Sequence, residues 1–319
     1  MVSCQIASTF SLIAGYLING YRWSSAVKRV TLTMAAGPGY NPGGGSIGRD
    51  RRRAKARAQP LRNRMNAHRY DLMYHVEDSH WWYRGMEAIT RAVIERAISS
   101  RRGLRILDAG CGTGAVMNYL ADYGTVTGCD YSAEALHYSA LRRHARLCRA
   151  SVAALPFADA SFDVVTSFDV LSDAGVADDE TPLREFARVL DPAGADGRGG
   201  LLLLRLPAYR WLYSAHDTDV ATERRYTARA VRAKLRHAGF TIEHVSYANM
   251  FLFPVAVLKR TSERFLPAAQ AKLDLHVEFG ALNVPLRWLL RLEAPLVART
   301  GLPFGLTVLA LARSGRRAA

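Results

Sequence analysis

The sequence of 319 residues predicts an α/β fold built on a doubly wound, seven-stranded sheet. Three observations support this prediction. Short apolar runs alternate with segments of helical periodicity, a glycine-rich loop follows the first apolar run, and an acidic residue ends the second. A doubly wound sheet binds its ligands at the carboxyl ends of its strands, so the residues that follow the strands are the candidate site residues.

The predicted elements alternate along the chain. The predicted strands are 104–109, 125–130, 146–149, 162–168, 200–206, 240–247 and 306–312. The predicted helices are 82–100, 113–123, 133–143, 180–190 and 227–238. The last of these helices begins at Thr227, a typical N-cap, and stops before Gly239. This order predicts parallel strands joined by crossover helices.

The loop after the first strand is the most informative segment. Apolar residues lead into Asp108, and Gly110, Gly112 and Gly114 follow at alternate positions. Glycines let the backbone approach a ligand closely, and the N–H groups of the helix that follows point at it. Asp130 ends the next strand, where a carboxylate can accept both hydroxyls of a ribose. These residues predict a site for an adenosine-containing cofactor.

Two cofactor classes fit this loop. Gly110, Gly112 and Ala115 also satisfy the relaxed pattern of dinucleotide binders, so an NAD(P)-dependent oxidoreductase is an alternative. Asp108 argues against it, because a carboxylate before the first glycine disfavours a pyrophosphate. The same carboxylate suits a cofactor that carries an amino group and a sulfonium. Gly114 leaves room for a flat amino-acid moiety to cross the backbone.

The loop resembles the first motif of class I S-adenosylmethionine-dependent methyltransferases, of the type 11-like kind. Residues 155–165 resemble that family's segment entering the fourth strand, and residues 188–204 its turn into the fifth. The resemblance covers about residues 70–312. It implies a Rossmann-like methyltransferase fold whose sheet is mostly parallel, with the last strand antiparallel and a helical insertion between the last two strands.

The resemblance also implies which residues contact S-adenosylmethionine. Asp108 and the three loop glycines face its methionine part, while Asp130 and the adjacent Tyr131 hold the ribose. Backbone groups of Val152 bind the adenine, because an acidic residue that many relatives carry here is replaced by Ser151 or Val152.

The aromatic segment before the first strand has two interpretations. Tyr83 and Arg84 are predicted to cap the cofactor, with Arg84 pairing the methionine carboxylate in a bidentate manner. Alternatively, Trp81 and Trp82 simply pack the following helix onto the sheet.

Methyl transfer from a sulfonium is a direct displacement, so a base is needed only when the acceptor is a weak acid. Asp169, at the mouth of the fourth strand, and His216, after the fifth, are the candidate catalytic residues. The alternative role for His216 is a structural hydrogen bond that fixes its loop. The alternative for either Arg224 or Arg225 is a structural ion pair with an acid. The predicted substrate-binding residues are Trp211, Arg224, Arg225 and Tyr226. No metal site is predicted.

Charge divides the chain into two parts. The formal net charge is +15, but residues 1–64 alone hold eleven Lys and Arg against one acid. We therefore predict that residues 1–64 are a disordered basic N-terminal extension and that residues 65–319 form the methyltransferase domain. The remainder is only mildly basic, so nucleic acid is not a predicted partner. The cysteines show no paired spacing, which favours a reducing, cytoplasmic location.

Residues 250–300 are longer than a hairpin connection requires. Leu289, Leu290 and Leu296 are set against Arg287 and Arg291 on an amphipathic segment. One interpretation is a helical lid or a homodimer surface packed on the core. The other is a helix that lies on an anionic membrane and presents a lipid-linked substrate, which makes the protein peripheral at the membrane.

The sequence thus predicts an S-adenosylmethionine-dependent methyltransferase that acts on a small-molecule or lipid-linked acceptor at oxygen. An NAD(P)-dependent oxidoreductase and a non-catalytic cofactor-binding scaffold are the alternatives.

Overall fold

The computed structural model describes residues 67–99, 101–214, 217–218, 220–263 and 280–315. Its helices are α1 (Ala67–Val76), α2 (Trp81–Ile98), α3 (Ala115–Leu120), α4 (Ala133–Leu141), α5 (Glu180–Val189), α6 (Ala228–His237), α7 (Phe253–Glu263) and α8 (Asn283–Arg299). Its strands are β1 (Leu104–Ala109), β2 (Gly124–Asp130), β3 (Leu147–Arg149), β4 (Val164–Phe168), β5 (Leu201–Pro207), β6 (Phe240–Ala248) and β7 (Thr307–Ser314). Residues 1–64, predicted to be a disordered extension, lie outside the described residues.

The strands form one seven-stranded sheet in the order β3-β2-β1-β4-β5-β7-β6. The first five strands are parallel, whereas β7 runs antiparallel to both β5 and β6. The predicted fold class is therefore confirmed. The order reverses between β1 and β4, and the crevice at such a switch point is where open α/β sheets bind ligands.

Both faces of the sheet are covered by apolar side chains. Residues of β5 alternate between the two faces: Leu202 and Leu204 lie in the cluster with α5 and α6, while Leu201 and Leu203 lie in the cluster with α2 and α8. A strand buried on both faces reads as a continuous apolar run rather than an alternating one. That is why β5 begins with four consecutive leucines, residues 201–204, before the charged Arg205.

The insertion between β6 and β7 contains α7 and α8. Helix α8 packs on α2, where a Cβ added to Gly85 would lie 2.3 Å from Cδ1 of Leu290. The fully buried Glu293 accepts hydrogen bonds from the backbone N–H of Met250, at 3.1 Å to each carboxylate oxygen. Helix α8 therefore belongs to the layer that covers the sheet, and its opposite side is exposed.

Helix α1 was not predicted from the sequence. It is weakly amphipathic, so its periodicity carries no helix signal, and its contacts with α4 place it beside the carboxyl ends of β1 and β2. Within the described ranges, none of the helices has the length and apolar character needed to cross a membrane.

We expect Leu290→Ala to lower the free energy of unfolding by about 3 kcal/mol, because it leaves a cavity between α8 and α2. Leu292→Ala, on the exposed side of the same helix, is the matched control and should change it by less than about 0.5 kcal/mol. Urea denaturation of both variants measures the difference. Equal changes in the free energy of unfolding for the two variants would contradict the packing of α8 on α2.

Candidate functional site

The candidate site lies at the carboxyl ends of β1, β2, β4 and β5. The loop between β1 and α3 contains three glycines with positive φ. A Cβ at Gly110 would lie 2.1 Å from Cγ2 of Val170, and one at Gly114 would lie 2.4 Å from Oγ of Ser139. At Gly112 no described atom lies within 4 Å of that position. Two glycines thus let the loop pack tightly, and the third leaves an open side for a ligand.

Asp130 at the end of β2 holds this loop. Its Oδ2 accepts the backbone N–H of Gly112 at 2.9 Å, and its Oδ1 accepts that of Ser132 at 2.8 Å. Burial raises the pKa of the Asp130 carboxyl, although these backbone hydrogen bonds lower it. Each oxygen keeps acceptor capacity beyond these single bonds, which suits a vicinal diol.

Tyr131 and Val152 lie at the same edge of the sheet but in different environments. The side chain of Tyr131 is exposed, whereas that of Val152 is buried in the apolar cluster on the α5 and α6 face. Only the backbone of Val152 can therefore offer polar contacts. The adenine contact at this position remains a prediction.

Asp108 at the end of β1 is buried and only partly satisfied. Oγ1 of Thr166 donates to its Oδ1 at 2.7 Å, and no described residue donates to its Oδ2. Burial raises the pKa of the Asp108 carboxyl to about 7, although the Thr166 hydrogen bond and the charge of Arg205 oppose the rise. A buried acceptor without a donor is costly, so this oxygen is suited to a ligand that brings one.

Arg205 on β5 was missed by the sequence analysis, and it is the central cation of the site. Its Nε donates to Oδ2 of Asp169 at 2.8 Å. Its guanidinium lies 5.1 Å from the ring centroid of Trp82 and 4.8 Å from that of Phe168, with only 9% of the residue exposed. A lone arginine within a run of leucines was the available signal, because a charge in a central strand needs a partner.

Asp169 follows β4 directly and has a strained backbone, with φ of +63°. Its N–H donates to the carbonyl of Arg205 at 2.7 Å, and its own carbonyl accepts from Oγ of Ser172 at 2.6 Å. Positive φ in a residue with a side chain persists only where the surroundings impose it. These bonds aim the partly exposed carboxylate of Asp169 at the guanidinium.

Glu77, immediately after α1, is a second residue that the sequence analysis missed. It is buried, its Oε2 accepts from Oγ1 of Thr113, and Nη2 of Arg142 donates to the same oxygen at 3.3 Å. Burial raises the pKa of Glu77 to about 7, although both partners lower it. This contact ties the glycine loop to α1 and α4. No sequence pattern marks it, since the three residues are far apart in the chain.

Two tyrosines lie among these charges. Burial raises the pKa of Tyr83, the charge of Glu77 adds to the rise, and the charge of Arg205 opposes it. Burial also raises the pKa of Tyr70 on α1, and the nearby carboxylate of Asp130 adds to that rise. Both side chains therefore border the site. Arg84 pairs with Glu87 on α2, and its contact with the methionine carboxylate stays a prediction.

The two arginines predicted to bind substrate are used within the protein. Arg224 donates through Nη1 to the carbonyl of Leu171 at 2.9 Å and through Nη2 to the carbonyls of Val176 and Ala177. Arg225 donates through Nε to Oδ1 of the buried Asp217 at 2.9 Å. It also donates through Nη1 to the carbonyl of Ala208 at 2.8 Å. These bonds hold the loop between β4 and α5 and the segment after β5.

Tyr226 is likewise buried, and its hydroxyl donates to the carbonyl of Leu171 at 2.9 Å. Trp211 is 48% exposed, and its ring centroid lies 5.7 Å from that of Tyr209 and 6.0 Å from that of Phe253. The structure thus places Trp211 in an aromatic group after β5. His216 lies outside the described residues.

Comparison with known proteins gives consistent results. Residues 107–195 match the family model described as a methyltransferase domain. A protein named as a probable S-adenosylmethionine-dependent methyltransferase, from Mycolicibacterium smegmatis, is 29% identical over 53% of this chain and 62% of its own length. A malonyl-[acyl-carrier protein] O-methyltransferase from Enterobacter lignolyticus is 34% identical over 38% and 48%. A demethylmenaquinone methyltransferase from Beutenbergia cavernae is 36% identical over 40% and 51%. The chain spans about half to three fifths of the length of these relatives.

We expect Asp108→Asn to reduce the loss of stability that the protein undergoes as pH rises. The folded-state pKa of Asp108 is raised to about 7 from an ordinary value of 3.8, so the folded state binds more protons than the unfolded state between these values. Stability therefore falls as pH rises through this window, and the asparagine variant should lose about 3 kcal/mol less between pH 4 and pH 8. Urea denaturation at both pH values measures this.

Asp163→Asn is the matched control. Arg105 hydrogen bonds hold the pKa of Asp163 below its usual value despite partial burial, so this carboxylate contributes stability that is lost as pH falls. This loss occurs below about pH 4, where the carboxyl titrates in both states, so the control should leave the stability difference between pH 4 and pH 8 nearly unchanged. An Asp108→Asn variant with the pH profile of the unmodified protein would contradict the buried position of this carboxyl.

Proposed function

The chain carries a class I S-adenosylmethionine-dependent methyltransferase domain, and from that premise we propose that it methylates an acceptor held beside Asp169 and Arg205. The family match rules against the oxidoreductase alternative, because residues 107–195 include the whole glycine loop. The observation that carries the proposal is the buried Oδ2 of Asp108, which has no donor among the described residues and ends the strand that leads into the glycine loop.

These residues fit S-adenosylmethionine by chemistry. The unpartnered carboxylate oxygen of Asp108 suits the ammonium of the methionine part, directly or through water. Asp130 suits the ribose hydroxyls, and the open side of Gly112 leaves room between them. When bound, this cofactor supplies an electrophilic methyl group on a sulfonium. The chain itself has to position an acceptor and receive its proton.

Asp169 is the residue that we assign to the proton. One of its carboxylate oxygens is bonded to Nε of Arg205, and the side chain is 38% exposed, so the other oxygen can accept an acceptor hydroxyl. His216, which lies outside the described residues, is the second candidate for this role. In either case the proton moves from the acceptor oxygen to a group at the carboxyl end of β4 or after β5.

Arg205 is the cation that we assign to a negatively charged group of the acceptor. Arg224 and Arg225 donate to carbonyls and to Asp217, so they are committed to the fold. Among the described residues, the guanidinium of Arg205 has a single hydrogen bond, the one to Asp169. Its remaining N–H groups can bind a carboxylate or an enolate oxygen. The planar fork also stacks on Trp82, which keeps its orientation fixed.

The acceptor that we propose is an oxygen nucleophile on a small or lipid-linked molecule. Tyr209 and Trp211 after β5 form an aromatic group with Phe253 and Phe304, and the exposed rings of Trp211 and Phe304 can contact an apolar acceptor. Each of two relatives supports one part of this proposal by its name: one is an O-methyltransferase, which supports oxygen, and the other is a demethylmenaquinone methyltransferase, which supports a lipid-like acceptor.

We also place the chain in a reducing compartment, the cytoplasm. Cys111 and Cys129 are free thiols buried at the site edge, and Cys148 is a free thiol beside them on β3. Burial raises the pKa of the Cys129 thiol to about 12, so it stays protonated and unreactive. Unpaired buried cysteines are typical of proteins from reducing environments.

Asp130→Ala should weaken binding of S-adenosylhomocysteine to the full chain by about 2 kcal/mol, or roughly thirtyfold, because charged hydrogen bonds to the ribose are lost. Isothermal titration calorimetry measures this, and Asp122→Ala, an exposed acid outside the site, is the control. Titration of NADH should give no binding. Binding of NADH alone would overturn the proposed reaction class, and an unchanged Asp130→Ala affinity would place the ribose elsewhere.

Asp169→Asn should lower the rate of label transfer from S-adenosylmethionine to a lipid extract by about a hundredfold, within the usual contribution of a general base. Its affinity for S-adenosylhomocysteine should change by less than about threefold. Asp163→Asn is the control, because this aspartate also pairs with an arginine but lies at the opposite end of β4.

His216→Ala completes this test. Full activity of Asp169→Asn together with an inactive His216→Ala would move the base to His216. Label transfer by neither the unmodified protein nor any variant, with S-adenosylhomocysteine still bound, would favour the scaffold alternative.

A further inference from the structure

The outer side of α8 carries a stripe of exposed apolar residues. Val284, Trp288, Leu292 and Leu296 recur at intervals of four, and between 41% and 65% of each is exposed. Residues four apart lie on the same side of a helix, so these side chains form one continuous strip. The inner side of the helix is used differently, since Leu290 and Val297 are fully buried against the layer below.

The charges of α8 are sorted in the same way. Its one acid, Glu293, is fully buried and bonded to the turn after β6. Arg287 and Arg291 are half-buried along the edge of the strip, and the guanidinium of Arg291 lies 5.4 Å from the ring centroid of Trp288. Nε of Arg287 is buried and has no hydrogen-bond partner among the described residues. Arg299 ends the helix. None of these three arginines forms an ion pair with an acid in the described part of the chain.

Arg287 has other cations nearby. Partial burial lowers the pKa of Arg287, and the charges of Arg291 and of Arg84 on α2 lower it further, while the charge of Glu87, which pairs with Arg84, opposes them. Like charges held together beside an apolar strip are unfavourable in water alone. An anionic surface that receives the arginines while the apolar side chains leave water would relieve both costs.

We propose that this face of α8, formed by Val284, Trp288, Leu292, Leu296, Arg287 and Arg291, lies on an anionic lipid bilayer. A second copy of the chain is a poorer occupant. A two-fold contact through the strip would bring the arginines of one copy against those of the other. The bilayer also fits the length and polarity of α8, which lies at an interface rather than crossing it.

The face begins beside the candidate active site. The backbone N–H of Trp81 donates to Oδ1 of Asn283 at 2.6 Å, which fixes the start of α8 to the start of α2. Tyr83, two residues further along α2, borders the charges of the site. A lipid-linked acceptor would therefore leave the bilayer close to Arg205. This last consequence rests on the proposed function, whereas binding to the bilayer does not.

Vesicle flotation with the full chain tests the proposal. Vesicles of phosphatidylcholine with about 30% phosphatidylglycerol should bind the protein at least about tenfold better than phosphatidylcholine alone. Leu292→Glu should reduce binding to the anionic vesicles by about tenfold, because it places a negative charge in the strip that the anionic lipids repel. Leu141→Glu, at an equally exposed leucine on α4, is the matched control and should leave binding unchanged.

Two results would overturn the proposal. Equal binding of Leu292→Glu and the unmodified chain would assign the bilayer contact to another segment, such as the eleven basic residues of 1–64. Absence of binding, with a dimer in sedimentation velocity that Leu292→Glu dissociates, would assign the strip to a second copy. Titration of S-adenosylhomocysteine into the same variants separates these failures from a failure of the proposed function, since Leu292 lies outside the cofactor site.

Discussion

The pairing of Arg205 with Asp169 is the interaction on which the site depends. It joins the ends of β4 and β5, and the charge of the same guanidinium lowers the pKa of the buried Asp108 and Glu77. Burial alone lowers the pKa of Arg205, but the charge of Asp169 and its hydrogen bond raise it, so the guanidinium stays charged. Without this cation, Asp108 would be a buried acid with no compensating charge, and Glu77 would keep only its contact with Arg142, which is a costly arrangement.

Strand geometry explains why these groups meet. Asp108 pairs in register with Thr166, and Phe168 pairs with Arg205, so alternate residues of three adjacent strands project from the same face of the sheet. Helix α2 covers this face and supplies Trp82 and Tyr83 above the cation. A charge that a central strand would ordinarily exclude is thereby enclosed between two rings and one carboxylate. The enclosure makes it a fixed binding group rather than a mobile side chain.

Several parts of the molecule were predictable from local pattern. The spacing of Gly110, Gly112 and Gly114 indicated a tight loop. Asp130 at the end of the next strand indicated a carboxylate beside that loop. Both depend on interactions between neighbouring elements, which a short sequence can specify. Arg224 and Arg225 show the limit of the same reasoning. They follow an aromatic segment as a binding arginine would, yet Arg224 donates to carbonyls of the loop between β4 and α5, and Arg225 donates to Asp217 and to the carbonyl of Ala208.

The sequence by itself determined the fold class, the succession of helices and strands along the chain and the position of the glycine-rich loop, because these follow from periodicity, glycines and residues adjacent in the chain. Only the tertiary structure decided which charges share the site. Glu77 reaches Thr113 and Arg142, and Arg205 reaches Asp169, through contacts between residues distant in the chain. It also decided that Glu293 is fully buried on α8 while Arg291 stays partly exposed beside Trp288. The direction of a side chain depends on what the helix packs against, and no pattern within the helix specifies that neighbour.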